Sequence, residues 1–230
     1  MLVEVPPAHP FGRLRFISKF PSKKNSVYLV ERGEKKYILK LYSSDRWENE
    51  YKVLKSAYDL GLAVPEPIEA KDRAILMQFI EGNTVNDYLG TDLMNDMVLR
   101  VASWLARFHL AFFDNGNVLL KSDAILKNFI VSDRIYGIDF ELSRMGKPEE
   151  DVGEAISYIL DTDPMFTEDK FRLSCKFMRR YEKESGIRLN DIEDSIAKSL
   201  IEAAGFRTGQ REIILKKAKD IIVLKPFERC

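Results

Sequence analysis

The sequence predicts an α+β fold in two parts, a small antiparallel sheet followed by a mainly helical region. Three observations carry this. Residues 14 to 42 alternate short β-prone runs with turn signals; apolar residues beyond Gly90 recur at helical spacing; and a second short hairpin interrupts the helical part between residues 121 and 141. A chain of 230 residues can bury a sizeable core as one two-lobed domain or two small ones. The division is expected after residue 82, with 1–82 as the sheet lobe and 83–230 as the helical lobe.

In order along the chain, Leu14 to Ser18, Val27 to Glu31 and Tyr37 to Tyr42 read as strands, with Arg32-Gly33-Glu34 as a hairpin turn. Between the first two lies Lys19-Phe-Pro-Ser-Lys-Lys-Asn-Ser26. Its turn amides, with Ser22, Lys23, Lys24, Asn25 and Ser26, can cradle phosphate, and the same stretch reads equally as a solvated basic turn. Lys40 stands in an apolar strand, where a lysine either snorkels to water or meets a partner. Trp47, Tyr51, Leu54 and Tyr58 mark a helix over 46–60 that Gly61 stops. Glu50 falls on its apolar stripe and needs a cation, for which Lys40 is the candidate; Glu48 falls on the solvated side beside Lys52 and Lys55. An ordinary buried ion pair is the alternative.

Val64-Pro-Glu-Pro-Ile68 is an extended entry to a strand over Ala74 to Ile80, and Met94 to Phe113 reads as a buried helix carrying His109 as a core or surface residue rather than a ligand. Asn128 to Val131 and Ile135 to Asp139 read as a hairpin about a two-residue Asp133-Arg134 turn, which sets 131 against 136 and Asn128 beside Asp139. Pro148 to Leu160 follows as a helix with an acidic first turn, from which Asp151 can brace the loop holding Asp123. Residues 167–186, 191–204 and 208–219 are further helical candidates.

The chemistry concentrates in Lys121-Ser-Asp-Ala-Ile-Leu-Lys-Asn128 and the hairpin after it. Asn128 and Asp139, an amide oxygen and a carboxylate at one hairpin end, suit Mg²⁺ carrying a polyphosphate. Asp123, five residues before Asn128, is placed to accept a proton from an attacking hydroxyl.

With Lys40, Glu50, Asp123, Asn128 and Asp139 in this order, the chain resembles the atypical small kinases of the protein-kinase-like superfamily. These are the RIO kinases, the kinase subunit of the KEOPS tRNA-modification complex, archaeal RNA kinases and, more distantly, the aminoglycoside phosphotransferases. The resemblance spans roughly residues 14 to 160. Lys23-Lys-Asn-Ser-Val-Tyr28, Arg134-Ile-Tyr-Gly-Ile-Asp-Phe-Glu141 and Glu150-Asp-Val-Gly-Glu154 look like segments of the RIO and KEOPS kinases. It implies a two-lobed protein-kinase-like fold that uses ATP and Mg²⁺. Lys40, held by Glu50, would meet the α- and β-phosphates, Met77 would back the adenine pocket, and the backbone of Gln78 and Ile80 would meet the adenine edge. Asp123 would be the catalytic base and Asn128 and Asp139 the metal ligands.

Departures from the pattern narrow the acceptor. Lys121-Ser122 stands where a histidine usually precedes the aspartate, the nucleotide loop has no glycine, and Asp139-Phe-Glu141 replaces Asp-Phe-Gly. The short run from Glu141 to Asp151 argues against a peptide-docking platform, and the C-terminal part is short for an antibiotic-binding helical extension.

Lys and Arg balance Asp and Glu at 36 each, so any attraction to nucleic acid must be local. Two basic runs supply it: Arg13, Arg15, Lys19, Lys23 and Lys24 near the first loop, and Arg207, Arg211, Lys216, Lys217, Lys219 and Lys225 near the C-terminus. Both read as solvated faces or, on a kinase of this type, as RNA contacts. The expected activity is therefore transfer of a phosphoryl group to a hydroxyl, foremost a ribose hydroxyl of tRNA. An atypical serine/threonine protein kinase, a small-molecule kinase and a nucleotide-sensing scaffold are the alternatives. No stretch reaches the length of a membrane span and the Met-Leu-Val-Glu-Val-Pro-Pro start has no leader pattern, so a cytoplasmic protein with no membrane partner is expected. The 31% charged fraction with only Gln78 and Gln210 as glutamines is compatible with a thermophilic, archaeal source. Cys175 and Cys230, with His9 and His109, do not make a typical zinc cluster and are expected to be structural or incidental.

Overall fold

Five antiparallel strands in the order β1-β2-β3-β5-β4 form the N-terminal sheet of the computed structural model, which describes residues 8–92, 94–228 and 230. The strands are β1 (Arg15–Phe20), β2 (Ser26–Arg32), β3 (Lys35–Leu41), β4 (Pro67–Lys71) and β5 (Ala74–Gln78), with helix α1 (Arg46–Asp59) between β3 and β4. The expected strands are present with ends moved by a residue or two. The Met-to-Pro start read from the sequence lies outside the described residues.

Strand β5 shows why the sheet has two apolar faces. Side chains alternate across a strand, so Ala74 and Leu76 join Phe11, Tyr28, Val30 and Leu39 in a small outer core. Ile75 and Met77 face the other way and join the main core with Val53, Leu54 and Ala57 of α1. That second face carries the N-terminal sheet onto the rest of the molecule.

The helical part consists of α2 (Met94–Ala111), α3 (Pro148–Asp161), α4 (Glu168–Ser185), α5 (Ile192–Phe206) and α6 (Arg211–Leu224). Helix boundaries follow local chemistry. Pro148 opens α3, where a missing N–H costs nothing, and three acidic residues sit in its first turn. The Thr167 side chain accepts from Lys170 N at the start of α4, and Gly186 closes that helix in the left-handed region. The segment expected as a helix over 208–219 is a short 3₁₀ turn at Thr208–Gln210 followed by α6, which runs on to Leu224. Cys175 of α4 is bonded to Cys230, so the two cysteines have a structural role. Among the described residues no helix is long and apolar enough to cross a membrane.

Small strands interrupt the helices: β6 (Asn83–Thr84), β7 (Val118–Leu120), β8 (Phe129–Val131), β9 (Ile135–Gly137) and β10 (Arg144–Gly146). β8 and β9 form the expected hairpin with a corrected register. Val131 pairs with Ile135 and Phe129 with Gly137, so three residues, not two, make the turn. Ser132 N–H donates to the Arg134 carbonyl across it. Without an Asn-Gly type dipeptide there is nothing to force the two-residue form. Asn128 consequently faces Ile138, whose N–H it accepts at 3.0 Å, and Asp139 lies one residue further on.

Gly137 is required by space. Trp104 of α2 stacks on Phe108 and meets Phe129 edge-on, and its Nε1 donates to the Ala63 carbonyl at 2.8 Å, the same oxygen that accepts Gly137 N–H at 3.0 Å. A Cβ at 137 would overlap the Trp104 ring. Gly137→Ala should therefore destabilise the protein by about 1–3 kcal/mol through overpacking, read as a lower urea midpoint at unchanged slope.

Candidate active site

Strand β3, helix α1 and the segment after β9 converge on one ammonium group. Lys40 Nζ donates to Glu50 Oε2 at 2.7 Å and to Asp139 Oδ1 at 2.7 Å, and lies 5.0 Å from the centre of the Tyr42 ring. The expected Lys40–Glu50 pair is present, both residues buried. Burial alone would depress the ammonium, but Glu50 and Asp139 outweigh it and hold Lys40 above its ordinary value. Burial likewise pushes the Asp139 carboxyl up, and Lys40, Lys121 and Lys24 more than reverse this, leaving it below the usual carboxylate range.

The loop carrying Asp123 is built over a second buried lysine. Lys121, fully buried where the sequence pattern expects histidine, donates from Nζ to the carbonyls of Asp123 at 2.7 Å and Asp139 at 3.2 Å. Its ammonium lies over the rings of Phe129 and Phe140 at 5.5 and 5.6 Å. One cation thereby fixes the backbone at both carboxylates. Asp151 braces the loop from α3 as expected, with Oδ2 accepting Lys121 N–H at 2.6 Å and Oδ1 accepting Ser122 N–H at 2.8 Å. His109 is a satisfied core residue, bonded to Asp151 at 3.0 Å and to the Tyr181 hydroxyl at 2.8 Å.

Asn128 Nδ2 donates to the Asp123 carbonyl at 3.1 Å, which leaves its oxygen available to a cation. Burial raises the Asp123 carboxyl above its ordinary value, with Lys121 opposing and Asp139 reinforcing the shift. The donor set of Asn128 and Asp139 fits Mg²⁺, being oxygen-only and hard. Carboxylate oxygens of Glu50, Asp139 and Glu141 also lie within 4.8 Å of one another.

Ser22, Lys23 and Lys24 are exposed on the loop between β1 and β2, while Asn25 and Ser26 are half-buried. Asn25 Nδ2 donates to Glu141 Oε2 at 2.6 Å, tying that loop to the segment of Asp139. Met77 is buried at the end of β5. The Gln78 amide donates to the Glu66 carbonyl at 2.8 Å and so is engaged within the sheet, while Ile80 is buried just beyond the strand, which ends two residues earlier than expected.

Asn49 was not legible as a site residue. From α1 its Nδ2 donates to the carbonyls of Ser143 at 2.9 Å and Glu141 at 3.3 Å, so the helix that supplies Glu50 also grips the segment after Asp139. A mid-helix asparagine next to Glu50 is the only hint in the sequence. On the solvated side of α1, Glu48 is exposed as expected, and Lys55 pairs with Asp59 one turn on.

This architecture is a protein-kinase-like fold, with lysine-bridged carboxylates at its candidate site. The RIO domain family model matches residues 14–107. The chain is 27% identical over 126 residues to the EKC/KEOPS complex subunit BUD32 of Encephalitozoon cuniculi, spanning 54% of this chain and 58% of that protein. It is 25% identical over 165 residues to the probable serine/threonine-protein kinase BUD32 homolog of Archaeoglobus fulgidus, spanning 70% of this chain and 80% of the relative. Among solved structures, choline kinase from Cryptosporidium parvum aligns with a TM-score of 0.69 at 11% identity over 93% of this chain and 91% of the other. A putative aminoglycoside phosphotransferase from Ralstonia eutropha aligns with a TM-score of 0.65 at 16% identity, over 95% and 89%. At these identities the structural likeness speaks for the fold.

Lys121→Met removes the donor to two buried carbonyls while keeping a stem of similar length, so it should cost about 2–4 kcal/mol in stability. The check is the denaturation midpoint, and full stability would remove Lys121 from the scaffold of the loop.

Proposed function

We propose that the chain is an ATP-dependent phosphotransferase acting on a hydroxyl group, with residues 1–82 and 83–230 as the lobes that close on the nucleotide. The observation that carries this reading is the shared ammonium of Lys40 between Glu50 and Asp139, beside an Asp123 whose backbone is fixed by Lys121 and Asn128. Ser22, Lys23, Lys24, Asn25 and Ser26 would face the phosphates, and Met77, Gln78 and Ile80 the base. Asn128 and Asp139 would hold Mg²⁺, which when bound neutralises charge on the phosphates. Lys40 would turn from Asp139 toward the phosphates, keeping Glu50, and Asp123 would take the acceptor's proton.

Two variants separate these roles. Asp139→Ala should lose metal-dependent ATP binding, measured by titration calorimetry with and without Mg²⁺. Asp123→Asn should keep that affinity and lose phosphoryl transfer by about a hundredfold or more. An Asp139→Ala protein with unchanged Mg²⁺-dependent affinity would remove this residue from the metal site.

For the acceptor we favour structured RNA, with a tRNA ribose hydroxyl as the best candidate, in a cytoplasmic protein. Exposed Lys23 and Lys24 flank the phosphate loop, and Arg211, Lys216 and Lys219 are exposed on α6. The relative from Encephalitozoon cuniculi is named as a KEOPS complex subunit, which supports an RNA-linked role and leaves room for protein partners. The Archaeoglobus relative's name favours a second reading, phosphorylation of serine or threonine in protein. If the lysines meet phosphates, charge reversal at Lys216, Lys217 and Lys219 should weaken RNA binding by about tenfold or more and flatten its salt dependence, leaving ATP affinity intact. Label from γ-labelled ATP appearing in protein and not in tRNA would decide for the second reading.

A further inference from the structure

The loop between β1 and β2 is tied to the segment that follows Asp139. Asn25 Nδ2 donates to Glu141 Oε2 at 2.6 Å, across 116 residues of sequence. The other end of the same amide is also engaged, since Oδ1 accepts Ser43 N–H at 3.4 Å in the link between β3 and α1. One half-buried side chain therefore joins the loop to two separate parts of the molecule.

The anchor at the far end is itself fixed. Asn49 of α1 donates to the Glu141 carbonyl at 3.3 Å and to the Ser143 carbonyl at 2.9 Å, and two residues before Glu141 the Asp139 carboxylate meets Lys40 at 2.7 Å. A carboxylate acceptor makes the bond from Asn25 charge-assisted, hence stronger than one between neutral groups. Ser22, Lys23 and Lys24 on the loop are exposed, so the grip on Asn25 is what orders their neighbour. Together with Lys24, Ser43, Ser44 and Arg46, the tethered pair lines a cavity of about 340 Å³. Lys24 directly precedes Asn25, so the tether sets where this cation reaches along the cavity wall. The bond needs only an acceptor oxygen at 141, which glutamine would keep and alanine would remove.

We propose, resting on the phosphotransferase reading, that Glu141 is a positioning residue for the nucleotide: it tethers the loop through Asn25 and so presets the loop's amides and Lys24 for the phosphates. A loop that must be ordered on binding subtracts from affinity, and one ordered beforehand subtracts less. Glu141 acts here as a hydrogen-bond acceptor and not as a metal ligand, although its carboxylate lies within 4.8 Å of those of Asp139 and Glu50. Its contribution falls on nucleotide affinity, and the proton transfer assigned to Asp123 does not pass through it.

The test compares wild type with Glu141→Ala, Glu141→Gln, Asn25→Ala and the double variant Asn25→Ala/Glu141→Ala. Three quantities are measured: ADP affinity by calorimetry with and without Mg²⁺, the KM for ATP against kcat, and hydrogen exchange of residues 22–25 without nucleotide. Glu141→Ala and Asn25→Ala should each speed that exchange and weaken ADP binding by about fivefold or more, by the same factor with and without Mg²⁺. Both should raise KM for ATP by more than they lower kcat. The double variant should be no worse than either single one, because the same bond is lost in all three. Glu141→Gln should restore both the slow exchange and the affinity. A loss confined to Mg²⁺-containing solution would make Glu141 a metal ligand and overturn the proposal, as would glutamine failing alongside alanine, additive losses in the double variant, or exchange in Glu141→Ala that matches wild type. If wild type binds no adenine nucleotide, the phosphotransferase reading fails, and the exchange comparison still decides whether Glu141 holds the loop.

Discussion

A buried lysine ammonium must find anions, and the need of Lys40 for two of them organises the site. The group sits on a strand whose neighbours on that face are apolar, so leaving it unpaired would be costly. Glu50 meets it from α1 and Asp139 from the segment beyond β9. Two consecutive elements and a segment 99 residues beyond Lys40 are thus fixed relative to one another by a single charge. Asn49 extends the same arrangement, because the helix that presents Glu50 also holds the carbonyls that follow Asp139. Movement of α1 would alter both contacts together.

Lys121 applies similar logic to the other carboxylate. Histidine at this position would offer ring nitrogens; lysine offers an ammonium with three donors on a long stem. Two of its bonds go to the Asp123 and Asp139 carbonyls, and the aromatic faces of Phe129 and Phe140 line the rest of its surroundings. The charge also acts through space, lowering Asp139 and opposing the burial of Asp123. One substitution therefore combines backbone support with electrostatic tuning, and Asp151 closes the arrangement from beneath by accepting the loop's amides.

The lysine-glutamate pair was legible because a carboxylate on the apolar stripe of α1 has few ways to be satisfied, and Lys40 was the nearest cation in the preceding strand. Asp151 was legible for a similar reason, as an acidic residue in the first turn of a helix following the loop. The hairpin register was not. Asp133-Arg134 fits a two-residue turn in composition, but register depends on one backbone bond, Ser132 to Arg134, that side-chain identity does not dictate. Lys121 reads in sequence only as a missing histidine, since its partners are carbonyls and rings brought together by the fold. Asn49 was silent as a site residue for the same reason: it acts on backbone carbonyls, which carry no sequence signature.

Two departures from the kinase-like pattern have a common physical basis. A loop between β1 and β2 without glycine and an Asp-Phe-Glu without its terminal glycine both give up backbone freedom. Asp139 itself adopts the left-handed conformation, at φ 66°. The residue that replaces glycine then contributes a side chain, and Glu141 accepts from Asn25 in the loop between β1 and β2 at 2.6 Å, while Asn25 Oδ1 accepts Ser43 N–H at 3.4 Å. Elsewhere such a loop is shaped by glycine conformations. Here it is held from its side chains, and the group that holds it lies two residues from Asp139. Position of the loop between β1 and β2 and position of the Asp139 carboxylate are consequently linked through one hydrogen bond, which glycine at 141 could not make.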